Sequence, residues 1–361
     1  MKTLLVGDIC ATALTESLYR EKNIPVLFGD TTSLFANKDL VFANIECAIT
    51  ESENRIKKFG PNLKAPTPTA EMLKELGVTL CGLSNNHIFD FGKEGAIDTI
   101  NAIKAVGMDY TGFGENLEDS RKNYTIEKDG EKICVIAVCE HEYSYALEDR
   151  MGSRPFDEYD TMFDIREAKK THDRVLVMYH GGKEHCRYPS PRLRKLCQAM
   201  AKNGADLVLC QHTHCIGTYE QFEGCHILYG QGNFQFSKIV ELPSWDSLFA
   251  VEYDTKSHEI SFTPIVNVED GGITLAKGEE KETIMSEFAK RNEHLHNGEW
   301  LDGWHEFCEN YKDGYINAIK NACNDTSTDR QNHNFAHYID CEAHLDVIRE
   351  LFPTWNQTNE K

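Results

Sequence analysis

Short, continuous apolar runs that alternate with amphipathic segments are the feature that most constrains the fold of this chain. Such runs are typical of strands that are buried on both faces. They predict strands at Thr3–Val6, Leu40–Ala43, Val78–Leu83, Ile133–Val138, Val175–Met178, Leu207–Leu209 and Ile227–Tyr229. Between them, helical spacing predicts helices over Thr69–Leu76, Gly95–Val106 and Pro191–Lys202, with Thr69 capping the first. The alternation indicates an α/β domain with a buried sheet.

The second part of the chain has a different texture. Leu248–Tyr253 and Glu259–Ile265 alternate apolar and polar residues around a turn, which predicts an antiparallel hairpin. Gly271-Gly272 follows two acidic residues and reads as a boundary, and the sequence beyond it is helical in texture. We therefore predict a main domain over residues 1–268 and a helical C-terminal extension over residues 269–361.

Charge and cysteine usage exclude several classes of protein. With 38 basic and 58 acidic residues, the chain has a formal net charge of −20. This balance argues against nucleic acid and anionic membranes as partners, because both bind basic surfaces. The 13 cysteines are odd in number and form no C-x-x-C motif, so we expect reduced thiols and no zinc ribbon. The first apolar stretch is too short for a signal peptide, so a cytoplasmic location is expected. The oligomeric state is left open.

Six of the predicted strands end in side chains that can ligate a metal or donate a hydrogen bond. Because the carboxyl ends of parallel strands face one crevice, we expect these ends to converge on one site. The six strand exits are Gly7-Asp8, Asn44-Ile45-Glu46, Ser84-Asn85-Asn86-His87, His180-Gly181-Gly182, Gln211-His212-Thr213-His214 and Gly230-Gln231-Gly232-Asn233.

Residues from these exits form a mixed oxygen and nitrogen donor set without thiolates. Each exit alone is more typical of a turn or of a hydrogen-bonded core residue, so the combination carries the hypothesis. His212 and His214 are separated by one residue and would share one face of an extended segment. The set suits two divalent ions, Mn²⁺, Fe²⁺ or Zn²⁺, bridged by a carboxylate. It comprises Asp8, Glu46, Asn86, His180, His212 and His214.

In this order, the motifs resemble those of the calcineurin-like metallophosphatase superfamily. They are most similar to its capsule-synthesis branch, the CapA family linked to poly-γ-glutamate. The resemblance covers roughly residues 1–265. It is carried by Gly7-Asp8, Asn44-Ile45-Glu46, Asn85-Asn86-His87 with Asp90 and Gly92, His180-Gly181-Gly182 with Glu184, His212-Thr213-His214, and Tyr229 with Gly232-Asn233-Phe234.

The resemblance implies a four-layer α/β/β/α sandwich with a dinuclear metal centre at one edge. By motif, one ion would be held by Asp8, Glu46 and His214, and the other by the bridging Glu46 with Asn86, His180 and His212. His87 would be the general acid that protonates the leaving oxygen, and Asp90 would orient its imidazole.

Further residues are expected to support this centre. Asn44, Asn85, Glu184 and Asn233 belong to the matching motifs, and His185 lies close to His180 in sequence. Cys10 stands where the broad superfamily often has a histidine. It is either a spectator or a soft metal ligand.

Two basic residues are candidates for binding an anionic substrate, a small molecule or a polymer. Arg187 lies in a segment with five basic residues and one acidic residue, Lys183–Lys195. Lys64 lies in a polar loop that contains three prolines. The alternative for both is an ordinary solvated side chain. The tail histidines are interpreted as surface or packing residues: His294, His296, His305, His333, His337 and His344.

Three functions are compatible with these residues. The first is a metal-dependent hydrolase that acts on a phosphoester. The second is an accessory protein or amide hydrolase for poly-γ-glutamate or another capsule polymer. The third is a non-catalytic binding module that contains metal for structural reasons.

Overall fold

The computed structural model describes residues 1–237, 245 and 247–354. The strands are β1 (Lys2–Cys10), β2 (Leu40–Ile45), β3 (Ala48–Ile49), β4 (Lys64–Ala65), β5 (Leu80–Gly82), β6 (Asp109–Thr111), β7 (Phe113–Gly114), β8 (Tyr124–Lys128), β9 (Glu131–Cys139), β10 (Gly152–Ser153), β11 (Arg174–His180), β12 (Leu207–Gln211), β13 (Tyr219–Phe222), β14 (Cys225–Leu228), β15 (Asn233–Phe236), β16 (Ser247–Asp254), β17 (Glu259–Asn267) and β18 (Ile273–Leu275). The helices are α1 (Glu16–Arg20), α2 (Ile24–Phe28), α3 (Thr69–Leu76), α4 (Gly92–Ala105), α5 (Leu117–Ser120), α6 (Glu158–Lys169), α7 (Pro191–Lys202), α8 (Gly278–Asn297), α9 (Trp300–Asn321), α10 (Asp329–Asp340) and α11 (Glu342–Leu351), with a 3₁₀ helix over Gly29–Phe35.

Two mixed sheets form the centre of the molecule. The first has the strand order β18-β17-β16-β1-β2-β5-β6, and β15 pairs in parallel with β1. Its strands β1, β2, β5 and β6 are parallel, whereas β16 to β18 are antiparallel. The second sheet has the order β13-β14-β12-β11-β9-β8, and its four inner strands are parallel. The parallel strands of each sheet therefore end at a common edge.

Apolar side chains cover both faces of each sheet. Leu5 of β1 and Leu176 of β11 belong to one buried cluster between the two sheets. The residue before Leu5 in β1, Leu4, faces the cluster that α3 and α4 cover. Val175, before Leu176 in β11, faces the cluster under α6 and α7. This double burial is the reason why the central strands are continuous apolar runs. The layers are helix, sheet, sheet and helix, which confirms the predicted four-layer α/β/β/α sandwich.

Most of the predicted elements are present, but the expected cap of α3 is wrong. Helices α3 and α7 have the predicted bounds, and β16 pairs with β17 as the predicted antiparallel hairpin. Pro68, and not Thr69, is the N-cap residue of α3. Proline is well suited to the start of a helix, because its ring fixes φ near the helical value and the first helical turn needs no amide donor. Thr69 is already inside the helix, and its hydroxyl is buried without a hydrogen-bond partner among the described residues.

Helices α8 to α11 follow the last strand and pack back onto the main domain. Trp304, Cys308 and Val347 share a buried cluster with Cys186, which lies in the segment after β11. The predicted division at residues 268 and 269 stays a prediction, and residues 355–361 of the predicted extension lie outside the described residues. In the described ranges, none of the helices combines the length and the apolar character that crossing a membrane requires.

Candidate metal centre

The predicted donor residues lie at the carboxyl ends of parallel strands from both sheets. Asp8, in β1, is paired with Asn44 of β2, and Glu46 directly follows that strand. His180 is the last residue of β11, and His212 directly follows β12. Asp8 and Glu46 are fully buried, and His180 is 3% exposed. Residues that are far apart in sequence are thus brought into one buried group.

The absence of a side chain at Gly7 allows the backbone to reach this arrangement. A Cβ atom on Gly7 would lie 2.2 Å from the carbonyl oxygen of Gly232. The chain before Asp8 therefore passes closer to the chain before Asn233 than any side chain permits. This close approach brings Asp8 into register with Asn233, its partner in β15.

The donor side chains form two groups that share Glu46. The ligand atoms of Glu46, His180 and His212 lie within 4.8 Å of one another, as do those of Asp8, Glu46 and His214. Glu46 Oε1 is 3.3 Å from His180 Nε2, and Glu46 Oε2 is 4.0 Å from His214 Nδ1. Each oxygen of this carboxylate therefore faces a different group, as a bridging ligand would.

The unpaired atoms of the centre fit a metal. Both carboxylate oxygens of Glu46 and Nδ1 of His212 are buried and have no hydrogen-bond partner within the described ranges. Leaving such atoms unpaired costs free energy, and more so for a carboxylate. A divalent cation would satisfy them together, so the residues present could hold the metal that the fold implies.

Burial and neighbouring charges shift the pKa values of the donor residues. Burial, followed by the neighbouring Asp8, raises the pKa of Glu46 well above its ordinary value. Burial, followed by the charges of His212 and His214, lowers the pKa of His180 well below its ordinary value. Burial also lowers the pKa of His214 to about 4. These two imidazoles are therefore neutral at pH 7, which is the form that ligates metals.

The two histidines after β12 do not lie on an extended segment, so that expectation is wrong. His212 has φ = 78° and His214 has φ = 54°, both in the left-handed region. This conformation is unfavourable for residues with a Cβ atom and persists where the surrounding structure imposes it. It bends the chain so that both rings face the same buried space, with centroids 6.0 Å apart.

Asparagine side chains hold the donors in place. Asn44 Nδ2 donates to Asp8 Oδ1 at 2.6 Å, and Asn85 Nδ2 in turn lies 3.2 Å from Asn44 Oδ1. Asn233 Oδ1 is 2.7 Å from His214 Nδ1, and Asn86 Oδ1 is 3.0 Å from His180 Nε2. The three supporting asparagines therefore contact the donors directly or through one intermediate, and Asn86 faces the group that contains His180.

His87 and Asp90 are neighbours, as their spacing suggested. His87 Nδ1 lies 2.7 Å from Asp90 Oδ2, and the ring is largely buried. Lys58 also approaches this pair: its Nζ lies 2.5 Å from Asp90 Oδ1 and 3.1 Å from His87 Nδ1. Lys58 lies in the same polar loop as Lys64, and its contact with this pair was not predicted from the sequence.

The other candidates lie at varying distances from the donors. The Glu184 carboxylate interacts electrostatically with His212 and His214. The ring of His185 is 6.2 Å from that of His214. Cys10 is fully buried, belongs to neither donor group and donates to the Ala11 carbonyl. Arg187 is half-buried in the segment after β11. Lys64 is paired with Glu53 at 2.6 Å, so its ammonium is already neutralised within the loop.

Two further residues at the centre were not found from the sequence. Glu142 follows β9, and its Oε2 is 3.5 Å from His212 Nε2. Burial opposes its ionisation, but the charges of His337 and His212 lower its pKa well below the ordinary value. The ring of Trp245 lies 4.7 Å from that of His214, and its Nε1 donates to His185 Nδ1. The acidic exit of β9 was a usable signal for Glu142, whereas nothing in the local sequence marks Trp245.

The fold and the site define a four-layer α/β/β/α protein with aspartate, glutamate, asparagine and histidine donors at its strand ends. Within that class, the model of the family described as bacterial capsule synthesis protein PGA_cap matches residues 2–238. The match covers more than half of the chain, and the chain belongs to this family.

Individual proteins show the same relationship. Over 243 residues the chain is 29% identical to the capsule biosynthesis protein CapA of Bacillus anthracis, which covers 65% of this chain and 59% of the relative. Over 238 residues it is 29% identical to the PGA biosynthesis protein CapA of Bacillus subtilis (strain 168), with 64% and 62% covered. The match thus spans about three fifths of the length of these relatives. A solved structure of a putative 5'-nucleotidase from Staphylococcus aureus is similar with a TM-score of 0.46 and 13% identity, covering 80% of this chain and 58% of that one.

Proposed function

We propose that this protein is a metal-dependent hydrolase that cleaves a phosphoester of an anionic substrate at a dinuclear centre. The observation that carries the proposal is the position of Glu46, which offers one buried, unpaired oxygen to each of two donor groups. The residues proposed to hold the ions are Asp8, Glu46 and His214 on one side, and Glu46, Asn86, His180 and His212 on the other.

The donor set supports transition-metal ions. Mn²⁺, Fe²⁺ or Zn²⁺ bound here would act as Lewis acids on the substrate and on water. The chain's own contribution is to fix the ligands before an ion arrives. Asn44 holds the Asp8 carboxylate and Asn233 holds the His214 ring, so little freedom is lost on binding.

His87 is the residue proposed to deliver a proton to the leaving oxygen. Because Nδ1 of this ring faces the Asp90 carboxylate, Nε2 is the nitrogen left to face a substrate. Asp90 fixes the orientation of the ring, and Lys58 pairs with the second oxygen of Asp90. A positioned general acid of this kind typically contributes about 10²- to 10⁴-fold in rate.

A panel of phosphomonoesters and phosphodiesters, assayed with Mn²⁺, tests the proposal. We expect the wild-type protein to hydrolyse at least one class. We expect His87→Asn to lower kcat by about 10²- to 10⁴-fold while the metal content stays unchanged. Wild-type protein that is folded and metal-loaded but hydrolyses no phosphoester would contradict it.

The names of the relatives favour a second candidate, an accessory role or an amide hydrolysis in the synthesis of a γ-linked glutamate polymer. The same ions and the same His87 could serve an amide bond, whose departing nitrogen also needs a proton. Adding γ-linked glutamate oligomers to the panel separates the two candidates. Cleavage of the oligomers alone selects the second. Metal binding without turnover of either class would instead indicate a binding module.

A further inference from the structure

The C-terminal helices reach the edge of the candidate metal centre. Asp346 of α11 accepts a hydrogen bond from Arg192 of α7 at 2.9 Å. The backbone amide of Ala343 lies 3.1 Å from Glu140 Oε2, and Glu342 Oε1 lies 2.6 Å from His141 Nδ1. The junction between α10 and α11 is therefore held against the residues that follow β9.

A third group of potential ligands lies at this junction. The ligand atoms of His337, Cys341 and His344 are within 4.8 Å of one another. Cys341 is fully buried, His344 is 8% exposed, and the side chain of His337 is 10% exposed. Cys341 stands between the two helices in an extended conformation, which turns the chain so that residues from both helices converge.

The two rings are held in different ways. Tyr315 engages Nδ1 of His344 at 2.6 Å, and the ring of Tyr338 stacks on it at 4.4 Å, which leaves Nε2 of His344 available. Nδ1 of His337 is buried and makes no hydrogen bond in the described part of the chain. His337 Nε2 lies 2.8 Å from Glu142 Oε1. A ring that keeps one buried nitrogen unpaired beside a buried carboxylate is a costly arrangement unless a further group joins it.

We propose that His337, Cys341, His344 and Glu142 form a zinc site separate from the dinuclear centre. Two imidazoles, one thiolate and one carboxylate are a four-ligand set that Zn²⁺ accepts in tetrahedral geometry. Tyr315 would act as the hydrogen-bonding partner that orients a ligating histidine. The tail histidines His337 and His344 then have a role beyond the packing expected from the sequence.

Zinc binding at this place displaces one proton. Burial, followed by Glu142 and Glu140, raises the pKa of the Cys341 thiol well above its ordinary value. Bound Zn²⁺ deprotonates a coordinating thiol outright, so the proton of Cys341 is released to solvent as the zinc–sulfur bond forms.

The site would fasten the C-terminal helices beside the dinuclear centre. The two oxygens of Glu142 face different partners, since Oε1 points to His337 and Oε2 lies 3.5 Å from His212. A zinc ion at the junction would therefore fix the position of Glu142 next to a proposed ligand of the hydrolytic centre. This inference does not depend on the proposed activity.

X-ray absorption spectroscopy of the zinc-loaded full chain tests the site, because the proposed dinuclear ligands contain no sulfur. We expect a zinc–sulfur shell at about 2.3 Å. Cys341→Ser should remove that shell and about one zinc ion per chain, whereas Cys308→Ser, a change of another buried cysteine under the same helices, should alter neither.

Two more variants keep the test decisive. Glu46→Gln, which disrupts the proposed dinuclear centre, should retain the sulfur shell, so that loss of one site is distinguishable from loss of the other. Cys10→Ser should also retain it. Absence of zinc–sulfur scattering in the wild type would overturn the proposal, and this measurement does not depend on the folding of any variant. Persistence of the scattering in Cys341→Ser would also overturn it.

Discussion

The ammonium of Lys58 lies 2.5 Å from Asp90 Oδ1, and both side chains are buried to 99% or more. Removing one partner of such a pair leaves the other charge buried and uncompensated, which typically costs about 3–5 kcal/mol. We therefore expect Lys58→Met to lower the free energy of unfolding by about this amount in urea denaturation.

The neighbouring Lys57 is exposed and provides the matched control. Lys57→Met should change the stability by less than about 0.5 kcal/mol. The double variant Lys58→Met with Asp90→Asn should recover part of the loss, because no unpaired carboxylate is left. Equal stabilities for the Lys57 and Lys58 variants would show that the pair does not form.

Gly7→Ala tests the close approach of the chains that carry Asp8 and Asn233. The new methyl group would lie 2.2 Å from a backbone oxygen, so the strands must separate. We expect a loss of about 1–3 kcal/mol in stability and weaker metal binding. Gly314→Ala, in open space on α9, should instead be stabilising by about 0.5–1 kcal/mol. If both variants behave alike, the contact at Gly7 is not tight.

Trp245 should report directly on the centre. Its ring lies 4.7 Å from His214, so a paramagnetic ion held by that residue would quench the indole fluorescence. We expect Co²⁺ added to metal-free protein to lower the emission, and Trp245→Phe to remove most of that response. Trp300→Phe, a change under the C-terminal helices, should leave the response intact. A response unaffected by Trp245→Phe would place the ion elsewhere.

The stability of the metal-free protein should depend on pH through His214. Its pKa of about 4 in the folded protein lies below the ordinary value of 6.5, so the unfolded chain binds more protons between these values. The contribution of His214 to the free energy of unfolding is therefore lost as the pH falls from 6.5 to about 4. This contribution amounts to about 3 kcal/mol.

A variant isolates this effect, because the raised pKa values of Asp8 and Glu46 act in the opposite direction. The free energy of unfolding should fall more steeply with acid in the wild type than in His214→Gln. Denaturant curves at several pH values between 7 and 4 measure the difference. If the free energy of unfolding changes with pH in the same way in the wild type and in His214→Gln, His214 is not held neutral.

The sequence was sufficient to place the donors but not their conformations. Asp8, Glu46 and His180 follow apolar runs, and the parallel order of those strands makes their ends coincide. The left-handed backbone of His212 and His214 could not be predicted, since few residues other than glycine adopt it and the packing around the segment imposes it.

Residues contributed by tertiary packing were also beyond the sequence. Lys58 reaches His87 because the loop that carries it folds over Asp90, where the amide of Ile56 bonds to the Asp90 carbonyl. His337 meets Glu142 only because α10 and α11 dock on the main domain. Neither event leaves a periodic pattern, whereas the strands and helices of the sandwich do.

The central claim, that Glu46 joins two donor groups into one metal centre, is tested most directly by titrating Mn²⁺ into the metal-free protein by calorimetry. Mn²⁺ prefers oxygen and nitrogen donors and so avoids the cysteine-containing cluster. We predict about two ions per chain for the wild type and for Lys64→Gln, and loss of both at the same Mn²⁺ concentration in a folded Glu46→Gln variant. Undiminished binding of Mn²⁺ by Glu46→Gln would contradict the account.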